Sequence, residues 1–291
     1  MLVTWKYKNR HSLIDSFDPR ARWIASFLIL AAILNFWDMR FLVFFLGLSL
    51  LQFRLTRLTW AETRKPLMFM MILVVFIVGI NAFVFGRGGP NEVLAGDQHI
   101  YFERLFDFRL FTWRLSFTAE KAAFGISQII RMVSIALLFF IIPWTMNPSQ
   151  YGVTFSGLGL PYRVAFAMDL AFRFVPTLAR DFQTTLDAQR ARGFEIDKIQ
   201  GGVIATIRRI APLVVPVTMN AIVAGEDIVN AMDMRAFGVT KRSWVDELKY
   251  RRRDYVLIVF SVALLLLSLY ANYGLHMGDF WIPPVFIEWA R

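Results

Sequence analysis

Two arginines stand in matching frames. Ala188-Gln189-Arg190-Ala191-Arg192-Gly193-Phe194 and Ala231-Met232-Asp233-Met234-Arg235-Ala236-Phe237 share alanine, three residues, arginine, a small residue and phenylalanine, at an offset of 43 residues. A guanidinium presents a planar fork of donors to carboxylates or backbone carbonyls. Two such groups on helix ends could plug into a two-fold or pseudo-two-fold partner at two points. From physics alone the plainer reading, helix capping, is the favoured one. Arginine near a helix C-terminus complements the macrodipole for about 0.3–1 kcal/mol, and Gly193 or Gly238 would supply a left-handed stop.

Other chemistry has little to stand on. The chain has no cysteine, so it offers no disulfide, thiol nucleophile or thiolate metal site. His11, His99 and His276 are far apart and form no metal motif. There is no Walker-type loop, HExxH or GxSxG sequence, and Gly157-Leu158-Gly159 is too short a signal for a phosphate loop. Asp181 and Asp187 fall on a polar stripe rather than forming an acid/base pair. The expectation is a non-enzyme with no catalytic residues, no metal site and no cofactor of its own.

The elements that must position the two arginines are long helices. In the first, at 161–192, Asp169, Arg173, Thr177, Arg180, Thr184 and Asp187 recur every three or four residues as one stripe. Val164, Met168, Ala171, Phe172, Val175, Leu178, Phe182 and Leu186 make the opposite face. Asp169 and Arg173 are spaced to pair at i,i+4, and Pro176 should kink the helix. The second helix spans 204–236, with Pro212 and Pro216 expected to bend or break its first half. Glu226, Asn230 and Asp233 lie on one side, with Ile222, Val229 and Met232 on another. These apolar faces are too rich for solvated helices. They predict packing on each other, on membrane spans or on membrane-embedded partners.

The rest of the chain reads as membrane. Of its 291 residues 57% are apolar and 19% charged, mean hydropathy is +0.49 and net charge is +10. Five stretches are candidate spans: 20–37, 39–53, 66–85, 124–144 and 255–273. The first two are short for a hydrocarbon core of ~30 Å. Asp18-Pro19 suits a helix start. Arg131 is the one charge inside the fourth span and, near its outer end, could snorkel. Connections on one side hold 24 Lys and Arg against 7 on the other, which places the N-terminus inside and the C-terminus outside. No removable signal peptide is read at the N-terminus. The outside loop 86–123 opens on Gly86-Arg87-Gly88-Gly89-Pro90, which cannot be regular helix, and 108–117 alternates as a short hairpin would. The predicted organisation is a membrane region at 1–144, a cytoplasmic helical region at 145–254, and a last span with an external tail at 255–291. The fold class is all-α and polytopic. With spans present, the basic balance points to anionic headgroups of the bilayer rather than to nucleic acid.

Several segments, in order, resemble a known family. Ser16-Phe17-Asp18-Pro19-Arg20 is similar to a Leu-Asp-Pro-Arg-Thr-Lys motif before a first span. Arg131 in Ile129-Ile130-Arg131-Met132 resembles a span arginine, and Thr145-Met146-Asn147-Pro148-Ser149 a Thr-Thr-x-Pro exit. Leu160-Pro161 and Ala171-Phe172-Arg173-Phe174-Val175-Pro176 resemble a Leu-Arg-Phe-Ile-Pro segment. Ala191-Arg192-Gly193 matches a first Ala-Arg-Gly signature, and Met234-Arg235-Ala236 resembles a second, with Met and Ala in place of Ala and Gly. On these residues the chain resembles the EcfT and CbiQ-like transmembrane coupling subunits (T components) of energy-coupling factor importers, which take up vitamins and cobalt or nickel.

The resemblance implies a mechanism. Ala191, Arg192, Gly193, Met234, Arg235 and Ala236 would form tips that dock in two ABC ATPase subunits, which themselves bind ATP and Mg. Arg173, Pro176, Arg190 and Asp233 would support those tips. A membrane-embedded substrate-binding S component would lie against the apolar helix faces. The location would be the cell membrane of a bacterium or archaeon. The competing class is a self-sufficient transporter or classical ABC permease that lines the substrate path itself. That class calls for ionisable residues facing each other at mid-membrane, and the spans hold almost none.

Overall fold

The computed structural model describes residue 10 and residues 12–83, 104–110, 113–193, 203–239, 244–245 and 247–275. The elements in chain order are α1 (Pro19–Leu34), α2 (Met39–Leu55), α3 (Trp60–Phe83), β1 (Arg104–Leu110), β2 (Trp113–Thr118), α4 (Ala119–Thr145), α5 (Tyr151–Gly157), α6 (Tyr162–Ala191), α7 (Val203–Met234) and α8 (Arg252–Leu269). A 3-10 turn at Pro148–Gln150 precedes α5, and a π turn at Tyr270–Gly274 extends α8. The fold class is all-α with one antiparallel hairpin, in which Phe108 faces Leu115 and Leu110 faces Trp113. The Gly86–Pro90 stretch, Phe194 and the tail 276–291 lie outside the described residues.

The chain divides into two compact units, residues 8–146 with 249–291, and residues 147–248 with 1–7. In the first, α1 packs along α8, while α2 and α3 pack along α4. Ile33, Phe36, Leu42, Phe45, Leu138 and Leu264 form the centre of its core. Four helical stretches are long and apolar enough to cross a membrane: Trp60–Ile80, Phe124–Thr145, Ala211–Met234 and Arg252–Gly274. The protein is a multi-pass membrane protein. Two differences from the expected five spans have simple causes. α1 and α2 have 16 and 17 residues, so at 1.5 Å per residue each reaches only about 25 Å. The stretch 211–234, expected in the cytoplasmic region, qualifies on length and hydropathy alone.

Polar ties fix the ends of these helices. Asp18 caps α1 by accepting from the Arg20 N–H at 2.9 Å, and Pro19 opens the helix. Asp254, 1% exposed, accepts from the N–H of Asp18 at 2.9 Å and from that of Arg251 at 2.7 Å. One carboxylate therefore serves the starts of both α1 and α8. The Arg20 guanidinium bonds Asp18 at 2.9 Å and lies 4.2 Å over the Tyr250 ring, while burial pushes the Tyr250 hydroxyl above its ordinary pKa. Arg253 donates to Ser16 at 2.9 Å. Arg22 donates to Thr145 of α4, and Asn35 to Ser268 of α8 at 3.4 Å.

Arg131 does not snorkel. It is 5% exposed, donates to the Phe36 carbonyl and lies 4.1 Å over the Trp37 ring. The α1–α2 corner explains this. A chain leaving a helix has carbonyls without partners, and a buried guanidinium both satisfies one and finds an aromatic face. Asp38 closes the same corner, fully buried, capping α2 through the Arg40 N–H at 2.8 Å.

In the second unit, α6 and α7 run unbroken through Pro176, Pro212 and Pro216. Of the bend or break expected in the first half of the second helix, the break does not occur. Each proline removes one helical hydrogen bond, a loss that helices of 30 and 32 residues absorb. α5 folds tightly onto α6. A Cβ on Gly152 would stand 2.8 Å from the Ala165 carbonyl and 2.8 Å from the Asp169 Cβ.

These contacts predict three stabilities in thermal unfolding of the detergent-solubilised chain. Asp254→Ala strands two buried N–H groups and should cost about 2–4 kcal/mol. Arg173→Ala removes an exposed pair 4.0 Å from Asp169 and should stay within about 0.5 kcal/mol. Gly152→Ala should cost about 1–3 kcal/mol by overpacking, and a wild-type melt would show that α5 does not press on α6.

Candidate functional site

The two arginine frames close their helices in the same way. α6 ends at Ala191, and the Arg192 N–H bonds the Gln189 carbonyl at 3.0 Å. Gly193 follows with φ +87° and bonds the Arg190 carbonyl at 2.9 Å. α7 ends at Met234, and the Arg235 N–H bonds the Met232 carbonyl at 3.1 Å. Ala236 follows with φ +51° and bonds the Asp233 carbonyl at 2.9 Å. The sequence offset is therefore also a structural one, residue for residue.

The small residue after each arginine has a conformational reason. Both occupy the left-handed region, where a Cβ costs roughly 1–2 kcal/mol. Gly193 escapes that cost and Ala236 bears it. A second left-handed glycine, Gly238 at φ +88°, completes the turn at α7, with the Phe237 N–H returning to the Met232 carbonyl at 3.0 Å. Gly193 and Gly238 were legible as stops, whereas left-handed Ala236 was not.

Both turns are presented outward. Ala191, Arg192 and Gly193 are exposed, as are Met234, Arg235 and Ala236. Met234 is 88% exposed, unusual for a large apolar side chain. Arg190 reaches Asp187 at 3.6 Å, and Asp187 also accepts from Gln183 at 3.1 Å. Asp233 is exposed at the foot of the second turn. Arg173 and Pro176 lie mid-way along α6, remote in sequence from both ends.

The turns lie at opposite ends of the α6–α7 pair. Phe237, two residues past Arg235, packs on Phe166 and Tyr162, with ring centroids 4.6 and 6.4 Å away. Those residues begin α6, and Arg192 ends it. A 30-residue helix is about 45 Å long, so roughly that length separates the two arginines.

Two residues of this region gave no sequence signal. Trp244 donates to Ser156 at 3.3 Å and its ring lies 5.4 Å from that of Tyr162. Tyr151 stacks on Phe172 at 4.8 Å. An isolated aromatic in a polar stretch has no periodicity to betray its partner.

Apolar side chains cover much of both helices without being buried. Val164, Val175 and Leu178 on α6, and Val214, Met219 and Val223 on α7, are 37–57% exposed. In the other unit, an open apolar groove of about 200 Å³ runs between α1, α2 and α8, with Arg22, Ser26 and Gln52 as its polar residues. Among the described residues no three His, Asp or Glu side chains converge as a metal site would require.

Comparison with known proteins places this architecture. A family model described as CbiQ, cobalt transport protein, matches residues 13–246. The chain is 22% identical over 274 residues to the energy-coupling factor transporter transmembrane protein EcfT of Clostridium kluyveri, covering 91% of this chain and 94% of that one. It is 25% identical over 282 residues to the EcfT of Lacticaseibacillus paracasei, covering 91% and 98%. With the EcfT of Exiguobacterium sibiricum it shares 31% over 206 residues, covering 62% and 76%. The chain belongs to the CbiQ family and is the energy-coupling transmembrane component of an energy-coupling factor transporter.

Proposed function

We propose that this chain couples ATP hydrolysis by two cytoplasmic ABC ATPase subunits to reorientation of a membrane-embedded S component that carries a vitamin or metal ion. The observation that carries this reading is the pair of matched, exposed arginine turns at opposite ends of one helix pair. Each turn offers a guanidinium to acceptors in an ATPase groove. Their separation suits a partner with two equivalent sites. The N-terminus and the region 147–248 would then face the cytoplasm, as the distribution of Lys and Arg predicts.

The exposed valines and methionines of α6 and α7 fit the remaining task. They offer apolar surface that a membrane-embedded partner or lipid would cover. Adjacent Glu226 and Asp227, both exposed, make full burial of α7 in hydrocarbon costly. A helix lying against a partner keeps them on its polar side. The apolar groove in the other unit suits lipid or a helix rather than a hydrophilic solute, and on this reading ATP and the main substrate contacts belong to the partner subunits.

Charge reversal at both sites, Arg192→Glu with Arg235→Glu, should strip the ATPases from the purified complex and abolish uptake. Losing a buried charge pair at an interface costs about 2 kcal/mol or more, or at least ~30-fold in affinity. Normal co-purification and transport by the double variant would refute the docking role. The turn conformation gives a finer test. Gly193→Val forces a β-branched residue into the left-handed region and should weaken ATPase retention. Ala236→Gly relieves strain and loosens the unfolded chain by about 0.4–1 kcal/mol, so retention should match wild type. Equal retention by Gly193→Val would show that the turn conformation is dispensable.

A further inference from the structure

We infer that Trp244 is a positioning residue for the second arginine turn, acting through an aromatic clasp that fastens the end of α7 to the start of α6. The role in coupling rests on the function proposed above. The clasp itself rests on geometry alone.

The path begins at Arg235. Phe237 follows two residues later, and its N–H returns to the Met232 carbonyl at 3.0 Å, so the turn itself sets the direction of the ring. That ring packs 4.6 Å from Phe166 and 6.4 Å from Tyr162, which themselves stack at 6.2 Å. Tyr162 also meets Trp244, at 5.4 Å. Trp244 is tied in turn to α5, where its indole N–H donates to Ser156 at 3.3 Å. A Cβ on Gly152 would come within 3.2 Å of the indole ring. Trp244 thus sits in the notch between α5 and the first turn of α6, with Tyr162 between it and Phe237.

The surroundings show that this seat is not incidental. Val239 and Val245 are 78% and 101% exposed, while Trp244 between them is half-buried. A large amphipathic ring is drawn in where flanking aliphatic residues are left out. An indole fills the notch and keeps its N–H paired. The bond to Ser156 fixes ring orientation, and the stack on Tyr162 limits where Phe237 can lie. The second arginine turn is held through Phe237. Since α6 also ends at Arg192, the clasp attaches both arginine turns to one helix.

The test uses the absence of native cysteine. Spin labels at Arg163→Cys on α6 and Asn230→Cys on α7, both exposed, report the clasp distance by pulsed electron resonance in the assembled complex. In the wild-type background we expect one narrow distribution. Trp244→Ala should broaden it, and Trp244→Phe, which keeps the ring but not the N–H, should narrow it again. In unlabelled complexes, uptake per ATP hydrolysed should fall several-fold for Trp244→Ala and recover for Trp244→Phe. An unchanged distance in Trp244→Ala overturns the clasp. A broadened distance with unchanged uptake per ATP overturns the positioning role. Should Trp244→Ala fail to accumulate, Phe237→Leu trims one ring contact of the clasp and is read in the same two assays, with the same outcomes deciding. Failure of the docking reading is separable, because it appears as ATPase retention by the double arginine reversal whatever the label distance.

Discussion

Every helix ends with N–H groups and carbonyls that its own hydrogen bonds do not reach, and an apolar environment offers no water to satisfy them. Much of this chain's polar chemistry answers that one constraint. Asp18 and Asp38 cap α1 and α2. Asp254 serves the starts of α1 and α8 together. Arg131 supplies a donor to the carbonyl of Phe36 where α1 gives way to α2. These charged side chains are almost fully buried, so each depends on its partner. Removing the partner would leave a buried ion, which costs far more than a surface pair contributes. Among the described residues, the buried charged side chains of the membrane unit serve helix ends.

The same constraint is met differently at the ends of α6 and α7. There the chain turns left-handed, and its own N–H groups return to the last carbonyls. That solution closes the helix ends with backbone groups and does not call on the arginine side chains. Arg192 and Arg235 stand at the very residues where the backbone has closed on itself. The capping and the docking readings of these arginines are therefore not exclusive. Backbone bonds close the turns, and the guanidinium groups project from exposed positions.

The legibility of the chain follows this division. Patterns with a period were readable. The helices expected at 161–192 and 204–236 appear as Tyr162–Ala191 and Val203–Met234, and the Asp18-Pro19 start and the 108–117 hairpin are present. Contacts between residues remote in sequence were not readable. Asp254 gives no hint that it serves Asp18, 236 residues away. Arg131 looked free to reach water because the Phe36 carbonyl and the Trp37 ring lie in another element. Whether proline would break the second helix was not readable either: propensity counts the lost hydrogen bond, whereas the packing and length that let α7 continue are tertiary. At the site, the offset of 43 was plain, but Ala236 in a left-handed turn and the seat of Trp244 depend on packing that no local motif records.

The difference between the two turns bears on how force would pass through the molecule. Gly193 takes its conformation without cost, so the first turn can stand on backbone geometry alone. Ala236 takes the same conformation against a steric penalty of roughly 1–2 kcal/mol, and something must hold it there. Phe237 against Phe166 and Tyr162 is placed to do so. Under the proposed coupling, the second turn is then strained but clasped, and its arginine moves with the start of α6. The first turn is the end of that same helix. A displacement at either arginine would reach the other as a tilt of a rod about 45 Å long. A tilting rod moves its exposed apolar face as a whole, which is the motion an S component resting on that face would need.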